Sequence, residues 1–259
     1  RQTVVASWIE CPEFLEQFRV LLKNVRDLER TMSRLSLGTG NGRDLLTVKC
    51  GLEEVPRLKE ILIHLCEEVA VNKKALFQSG EGESEVKVEF LQRLIDSLDP
   101  LPDLTDLISR ALMDEAPITV RDGGMIRDGY DPKLDELRSA GSEGKNWIAG
   151  LQRDEAARTG ITSLKVRFNS VFGYFIEVTR SNLDKVPEHY IRKQTIANGE
   201  RFITPELKEV EGKILGAEER AQKLEYELFQ QVRDAVVEKL SEIQTCAAAV
   251  AQLDVLASF

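Results

Sequence analysis

The sequence predicts a mainly α-helical protein: a helical core and two long antiparallel helices, with a small antiparallel β domain inserted at their tip. Three observations predict this class. The 259 residues are 42% hydrophobic but only 6% aromatic, and Leu and Ala supply most of the apolar side chains, which favours helices. Most apolar residues recur at helical spacing. Only residues 162–204 show the sustained alternation that is typical of strands.

The first 115 residues are predicted to form packed helices. Pro12 suits a first helical turn and Gly38 an exit, so one helix is expected between them. Its apolar stripe consists of Phe14, Phe18, Leu21, Leu22, Val25, Leu28, Met32 and Leu35. The remaining apolar spacing predicts helices over 43–53, 55–71, 85–97 and 103–113, with a polar loop over 78–84 and a break at Pro100 and Pro102.

A short β-hairpin is predicted over residues 118–128, because apolar–polar alternation flanks the Asp-Gly-Gly sequence at 122–124. A charged helix should follow from Pro132 to about Arg158. We expect it to end at Thr159 and Gly160, since glycine is the usual residue just after a helix.

Residues 162–204 are predicted to form a small antiparallel sheet. Period-two alternation marks strand segments over 165–168, 172–179, 194–197 and 200–203. The pair Asn198–Gly199 separates the last two segments, and an Asn-Gly pair between strand-like runs is the strongest short-range hairpin signal.

The last segment is predicted to be a long helix. Thr204 can cap it, Pro205 suits its first position, and Glu206 complements the positive end of the helix dipole. A heptad-like seam follows at Leu207, Val210, Ile214, Ala217, Ala221, Leu224, Leu228 and Ala235. From about Ser241 the side chains are almost all apolar, so this end should be buried. A β unit between two long helices should make few contacts with the helical body.

The charge of the chain is unevenly distributed. The whole chain has 35 Lys and Arg against 44 Asp and Glu, a net charge of −9, which argues against a nucleic-acid binder. Residues 164–204 hold seven basic and four acidic side chains, so this segment is +3 and the remainder −12. A basic β unit with interleaved polar donors favours contact with a duplex backbone. An ordinary solvated sheet would have a similar charge mix, and both interpretations stay open on charge alone.

The sequence predicts no catalytic residue, no metal site and no cofactor site in this chain. Its cysteines, Cys11, Cys50, Cys66 and Cys246, form no CxxC pair and are expected to be free thiols. The segment 141–146 (GSEGKN) has the wrong glycine spacing for a phosphate-binding loop. No apolar run reaches the roughly 18–20 residues of a membrane span, so no membrane partner is expected. The first residue is Arg1, and the chain is expected to be part of a longer protein.

Several motifs, in order along the chain, resemble those of the MutS family of DNA mismatch-repair ATPases. The most specific lie in the second half: Leu164-Lys165-Val166, Asn169 with Gly173-Tyr174, Arg192 with Gln194-Thr195, Asn198 with Glu200-Arg201, and residues 204–209 (TPELKE). Weaker matches occur earlier, at Leu28-Glu29-Arg30, Arg34-Leu35, Arg43-Asp44-Leu45, residues 120–124 (VRDGG), Gly129-Tyr130 and Leu134-Asp135-Glu136. Residues 251–256 (AQLDVL) resemble the end of the family's lever.

The resemblance implies that residues 1–163 and 205–259 are the core and lever and that residues 164–204 are a clamp domain inserted into them. The family implies a dimer that closes around double-stranded DNA, clamps that grip its backbone without sequence preference, and levers that connect them to an ATPase domain elsewhere. ATP and Mg²⁺ would belong to that domain and not to this chain. Other implied partners are mismatch-repair proteins such as a MutL-like protein, in the cytoplasm and associated with the nucleoid.

Seven clamp residues are expected to donate hydrogen bonds to DNA phosphates: Arg180, Ser181, Arg192, Lys193, Gln194, Thr195 and Asn198. The function expected for the chain is therefore mechanical and electrostatic, without catalysis. An alternative of another class is a helical scaffold rod whose β tip docks another protein. Salt dependence separates the two, because backbone binding weakens steeply as salt rises.

Overall fold

Helices dominate the computed structural model, and one four-stranded antiparallel sheet lies between two long helices in the chain order. The predicted fold class is confirmed. The structure describes residues 2–76, 81–119 and 123–259. The chain divides into two compact units: residues 128–225 form one, and residues up to 127 together with 226–259 form the other.

The larger unit is built from helices whose apolar sides meet in one core. Its described helices are α1 (Gln2–Glu10), α2 (Pro12–Leu22), α3 (Leu28–Ser36), α4 (Gly42–Leu76), α5 (Glu81–Asp96) and α6 (Pro102–Ala111), joined by the end of α8 (Pro205–Glu238) and by α9 (Leu240–Ala257). Trp8, Phe18 and Met32 are among its largest fully buried side chains. The apolar C-terminal segment, predicted to be buried, is α9, and it packs against α3 in this core.

The apolar stripe between Phe14 and Leu35 belongs to two helices, so the single helix predicted there is wrong. The chain leaves α2 at Lys23 and re-enters α3 after Asp27. A new helix begins after Asp27 because the Asp27 carboxylate accepts a hydrogen bond from Arg30 N at 2.9 Å, which caps the N-terminus of α3. Gly38 lies at the exit with a φ of 72°, as a glycine after a helix often does.

The two helices predicted over 43–53 and 55–71 are one, α4, which continues through Pro56. A proline inside a helix removes one hydrogen bond and usually breaks it. Here Leu52, Val55 and Leu58 around it are fully buried, and this packing keeps the helix continuous.

Two other predictions in this unit change in part. The polar loop predicted over 78–84 lies partly outside the described residues, and α5 already begins at Glu81. Part of the hairpin predicted over 118–128 also lies outside them, at residues 120–122, which include the first residue of its Asp-Gly-Gly turn. The described part does not pair as that hairpin: Met125 O accepts from Met113 N at 2.9 Å, and Arg127 N donates to Ala111 O at 2.8 Å.

The smaller unit contains the predicted β domain. It begins with α7 (Pro132–Thr159), which ends at Gly160 in the left-handed conformation, as predicted. Four strands and a 3₁₀ helix follow: β1 (Lys165–Asn169), β2 (Gly173–Thr179), the 3₁₀ helix (Arg180–Lys185), β3 (Ile191–Ile196) and β4 (Gly199–Ile203). The sheet order is β1-β2-β4-β3, so β3 is an edge strand and β4 is central. All four predicted strand segments are present.

One face of the sheet packs on α7 and on the start of α8. Alternate residues of β2, Ile176 and Val178, join Phe202 of β4 and Tyr190 in a core with Ile148 of α7 and with Leu207 and Ile214 of α8. Thr204 Oγ1 accepts from Leu207 N at 3.1 Å, so the predicted helix cap is confirmed. The seam of α8 is buried at Leu207, Ile214, Ala217 and Ala221.

Farther along α8, the seam shifts from the predicted Ala235 to Phe229, Val232 and Val236, which are buried. None of the described helices is long and apolar enough to span a lipid bilayer.

Candidate nucleic-acid interface

Four of the seven predicted DNA-contacting residues lie together at one end of the sheet. Arg180 N donates to Asn198 O at 3.1 Å, which places the start of the 3₁₀ helix beside the β3–β4 turn. In the adjoining ladder, Thr195 is opposite Glu200. The side chains of this turn cluster, Arg180, Ser181, Thr195 and Asn198, are all exposed.

Hydroxyl and amide groups connect Ser181 of the turn cluster to residues beside it. Ser181 Oγ lies 3.3 Å from Thr179 Oγ1, which accepts from Asn182 Nδ2 at 3.2 Å. Asn182 Nδ2 also donates to Ser163 Oγ at 3.2 Å. A hydroxyl has one donor and two acceptor sites, so this network restricts the position of Ser181 while leaving its hydroxyl able to serve an outside partner.

Arg192 and Lys193 lie farther along β3, separated from the turn cluster by a β-bulge. Arg192 is opposite Phe202, and the next paired residue, Gln194, is opposite Arg201, so Lys193 is the extra residue. A bulge reverses the alternation of side chains. Arg192 therefore shares a sheet face with Phe202, and Gln194 lies on the opposite face. The alternation of residues 191–196 gave no signal for this bulge.

Gln194 is already engaged within the sheet. Arg201 Nη1 donates to Gln194 Oε1 at 2.8 Å, and Arg201 Nε lies 3.5 Å from Glu177 Oε2. The guanidinium carbon of Arg201 also sits 4.5 Å from the centre of the Phe175 ring, a cation–π contact. Arg201 therefore stabilises three strands and holds the amide oxygen of Gln194.

Arg192 has a carboxylate partner that sequence reasoning missed. Arg192 Nη1 donates to Glu200 Oε1 at 3.2 Å, from the edge strand to the central strand. The two residues are eight positions apart across the predicted turn, and their pairing across a hairpin was the available signal. No carboxylate lies within ion-pair distance of Arg180 or Lys193 among the parts of the chain that the structure describes.

A close approach explains the glycine in the β3–β4 turn. The backbone φ is not positive at Ala197, Asn198 or Gly199, so this is not the turn type that usually requires Asn-Gly. A Cβ on Gly199 would lie 2.2 Å from the carbonyl oxygen of Val178. The hairpin was predicted correctly, but this glycine is needed for the contact between strands β2 and β4.

Polar contacts fix the sheet on α7. Gln152 Oε1 accepts from Val166 N at 2.8 Å, which satisfies a backbone donor on the edge strand β1. Tyr190, before β3, donates its hydroxyl to Glu155 Oε2 at 2.5 Å. Arg158 Nη2 lies 2.5 Å from the same oxygen.

The Tyr190–Glu155 contact shifts both ionisation equilibria. Burial, and then the hydrogen bond to Glu155, raises the pKa of Tyr190 well above its usual value. Burial acts to raise the pKa of Glu155, but hydrogen bonds from Arg158 and Tyr190 outweigh it, so that pKa is lowered. The pair is thus held as a neutral phenol and a carboxylate at neutral pH.

The β1–β2 end of the sheet is fixed on α8. Glu211 Oε2 accepts from Tyr174 N at 2.7 Å, and Lys208 Nζ donates to Phe172 O at 2.8 Å. Lys208 and Glu211 also pair with each other at 3.0 Å. The β1–β2 turn is therefore attached to the first turns of α8, and the sheet is joined to both long helices.

The glycine-bearing segment 141–146 lies in the middle of α7. A helical backbone uses its own N–H groups and forms no phosphate cradle, so the residues present do not fit a nucleotide's phosphates. No group of three or more metal-ligating side chains occurs among the residues with described positions.

The fold and this site define a helical protein with a small basic sheet between two long helices. Residues 129–220 match the family model for MutS family domain IV. The chain is 46% identical over 244 residues to the DNA mismatch repair protein MutS of Halothermothrix orenii, covering 94% of this chain and 25% of that protein. The corresponding protein of Symbiobacterium thermophilum is 44% identical over 259 residues, 100% of this chain and 27% of that protein.

A third relative gives the same result: the DNA mismatch repair protein MutS of Methanothrix thermoacetophila is 45% identical over 256 residues, 99% of this chain and 28% of that protein. The chain spans about a quarter of the length of these curated relatives. The chain belongs to the MutS family, as its motifs suggested.

Proposed function

We propose that this chain is the lever and clamp part of a DNA mismatch-repair protein, in which residues 164–204 grip the duplex backbone without reading sequence. The observation that carries the proposal is the turn cluster, where the start of the 3₁₀ helix and the β3–β4 turn present a guanidinium, two hydroxyls and an amide on one exposed surface. These groups are typical donors to phosphate oxygens and carry no base specificity.

Charge supports the same proposal. The segment has a net charge of +3 within a chain of −9, so the remainder sums to −12. The summed charge of the remainder repels a duplex, whereas the net charge of the segment attracts it. Arg180 and Lys193 are exposed. They are the strongest candidates for phosphate contacts, with Arg192 beside them and Gln194 a weaker candidate because Arg201 holds its amide oxygen.

The helices of the smaller unit support a mechanical role. Helices α7 and α8 run antiparallel and are joined by Lys145–Glu218 at 2.6 Å and by Arg138–Glu225 at 3.0 Å. Ion pairs between facing helices fix their register, so a displacement of the sheet moves both helices together. We place the ATPase that such a movement would regulate in another part of the parent protein, together with the dimer contact and any MutL-like partner.

A second function, a scaffold whose β tip docks a protein, is favoured by one observation. Phe168, Val171 and Phe172 at the β1–β2 turn are 52%, 78% and 44% exposed. Exposed apolar side chains of this size that lie together mark contact surfaces. Replacing Val171 and Phe172 by Ser would abolish protein docking by that tip and leave the affinity for DNA unchanged.

The deciding experiment reverses charge at Arg192→Glu and Lys193→Glu and measures duplex binding by the parent protein. We expect affinity to fall about tenfold or more, equally on matched and mismatched DNA, because phosphate contacts carry no sequence information. The matched control is Arg220→Glu with Lys223→Glu, an equal charge change on exposed positions of α8. Loss of mismatch discrimination alone, or an equal loss in the control, would contradict the backbone grip.

A further inference from the structure

Glu200 occupies an unusual position in the proposed DNA-binding surface. It lies on the central strand β4, opposite Thr195 on one side and Val178 on the other. Its side chain is only 15% exposed, and its carboxylate lies 3.2 Å from the guanidinium of Arg192. A carboxylate in this place opposes the phosphate binding of the surface that contains it.

The two partners differ in exposure and in strand position. Arg192 lies on the edge strand with 64% of its side chain exposed, whereas Glu200 is held by a ladder on both sides. Ion pairs with one exposed partner contribute little to stability. The guanidinium of Arg192 can therefore exchange Glu200 for a phosphate. Binding the phosphate then costs the Arg192–Glu200 ion pair, which the protein has without DNA.

Arg201 shows the contrasting case. It is held at once by Glu177, by Gln194 and by the face of Phe175, and only 24% of its side chain is exposed. A phosphate would have to replace all three of these contacts to bind the Arg201 guanidinium. Among the paired arginines of β3 and β4, Arg192 is thus the one whose pairing a phosphate can replace.

We propose that Glu200 limits the strength of the DNA grip by competing with backbone phosphates for Arg192. Glu200 is then a positioning residue that keeps the clamp weak enough to release the duplex. This inference rests on the proposed function, because without DNA binding by this surface Glu200 is only a sheet ion pair.

The test measures dissociation constants of the full chain for a fully paired duplex over a salt series. Glu200→Gln removes the competing charge with little change in shape. We expect about two- to fivefold tighter binding at low salt, and a slope of log K against log salt that is steeper by about one, as one added phosphate contact requires. Glu200→Thr is a second variant, since Thr suits a strand and would face Thr195.

Two further variants separate competition from general charge effects. Glu188→Gln removes an equal charge from an exposed position of the same unit and should leave the slope unchanged. In an Arg192→Gln background, Glu200→Gln should no longer tighten binding, because the competing pair is already absent. A structural role for Glu200 would not disappear in this way.

Each outcome has a defined meaning. Unchanged or weaker binding by both Glu200 variants, an equal gain in Glu188→Gln, or a gain that persists without Arg192 would overturn the role of Glu200. If Arg180→Gln and Lys193→Gln weaken binding while Glu200→Gln does nothing, the backbone grip stands and only this inference fails. If those two variants also leave binding unchanged, the proposed function itself fails.

Discussion

Single residues decide how closely the strands of the small sheet approach one another. Gly199 is the clearest example, because the carbonyl oxygen of Val178 occupies the space that its side chain would need. Gly212, on α8, has open space where a Cβ would stand, with no neighbouring atom within 4 Å. The two glycines therefore predict opposite effects of the same substitution.

Gly199→Ala should destabilise the protein by about 1–3 kcal/mol, because a backbone oxygen has to move. Gly212→Ala should stabilise it by up to about 1 kcal/mol, because alanine favours a helix interior. Urea denaturation of both variants measures the difference. If both substitutions shift stability in the same direction, the close approach between β2 and β4 is not what requires glycine at 199.

The site at residue scale was only partly predictable from the sequence. Arg180, Ser181 and Asn198 are eighteen positions apart at most, and the strand segments around them were predicted, but Arg180 meets Asn198 through the pairing of β2 with β4, which was not predicted. The bulge at Lys193 depends on backbone pairing that alternation does not encode, and the capture of Gln194 by Arg201 depends on that bulge. The pairing of Glu200 with Arg192 can be inferred only once the register of β3 and β4 is known.

At the scale of elements, a buried ion pair fixes α7 against α8. Arg138 Nη2 donates to Glu225 Oε1 at 3.0 Å, and the side chain of Glu225 is only 4% exposed. Arg138 is more exposed and also pairs with Asp128 at 2.5 Å. Removal of the arginine takes this cation away from a buried carboxylate, whereas removal of the glutamate leaves an arginine that still pairs with Asp128.

Arg138→Met should therefore destabilise the protein by about 3 kcal/mol, and Glu225→Leu by less, because a buried charge that loses its opposite charge is the costlier defect. The double variant should recover much of the loss, since an apolar pair can replace a buried ion pair. Chemical denaturation of the three variants tests this order. If the double variant loses as much free energy of unfolding as the two single variants together, Arg138 and Glu225 do not stabilise the protein through their contact with each other.

A second element-scale contact, Tyr190 with Glu155, makes sheet docking depend on pH. The pKa of Glu155 in the folded protein is lowered from a reference of 4.5. A lowered folded-state pKa stabilises the protein above the unfolded-state value, and this contribution is lost as pH falls through the folded-state pKa.

Glu155→Gln should accordingly be less stable than the wild type near neutral pH, and the difference should shrink as the pH falls below about 4.5. Denaturation midpoints of both proteins at several pH values measure this difference. The other carboxyl groups are the same in both proteins, so their contribution cancels in the comparison. A difference that stays constant with pH would mean that ionised Glu155 does not contribute to docking.

Element predictions succeeded where local signals agreed and failed where tertiary contacts decided. The ends of α7 and the start of α8 carry proline, cap and glycine signals, and these were predicted. The stripe from Phe14 to Leu35 kept helical spacing across a turn, so periodicity could not reveal the cap at Asp27. In α4 the break expected near Pro56 is overcome by the buried residues around it.

At the scale of the whole molecule, the chain is acidic while its proposed binding surface is basic. The boundaries 164–204 for a separate clamp domain stay a prediction. The chain itself divides at residues 128 and 225, which includes α7 and most of α8 with the sheet, and the family match covers a similar range, 129–220. The sheet and its two supporting helices thus form one structural unit, which suits a transmitted movement.

The most direct test of the backbone grip is the salt dependence of duplex binding by the wild-type chain. If Arg180, Arg192, Lys193 and their neighbours contact phosphates, log K should fall with log salt at a slope of about −3 to −4, as three to four phosphate contacts require. Matched and mismatched duplexes should give the same slope. A slope near zero, or no binding at low salt, would contradict the grip and favour docking of a protein at the apolar β1–β2 turn.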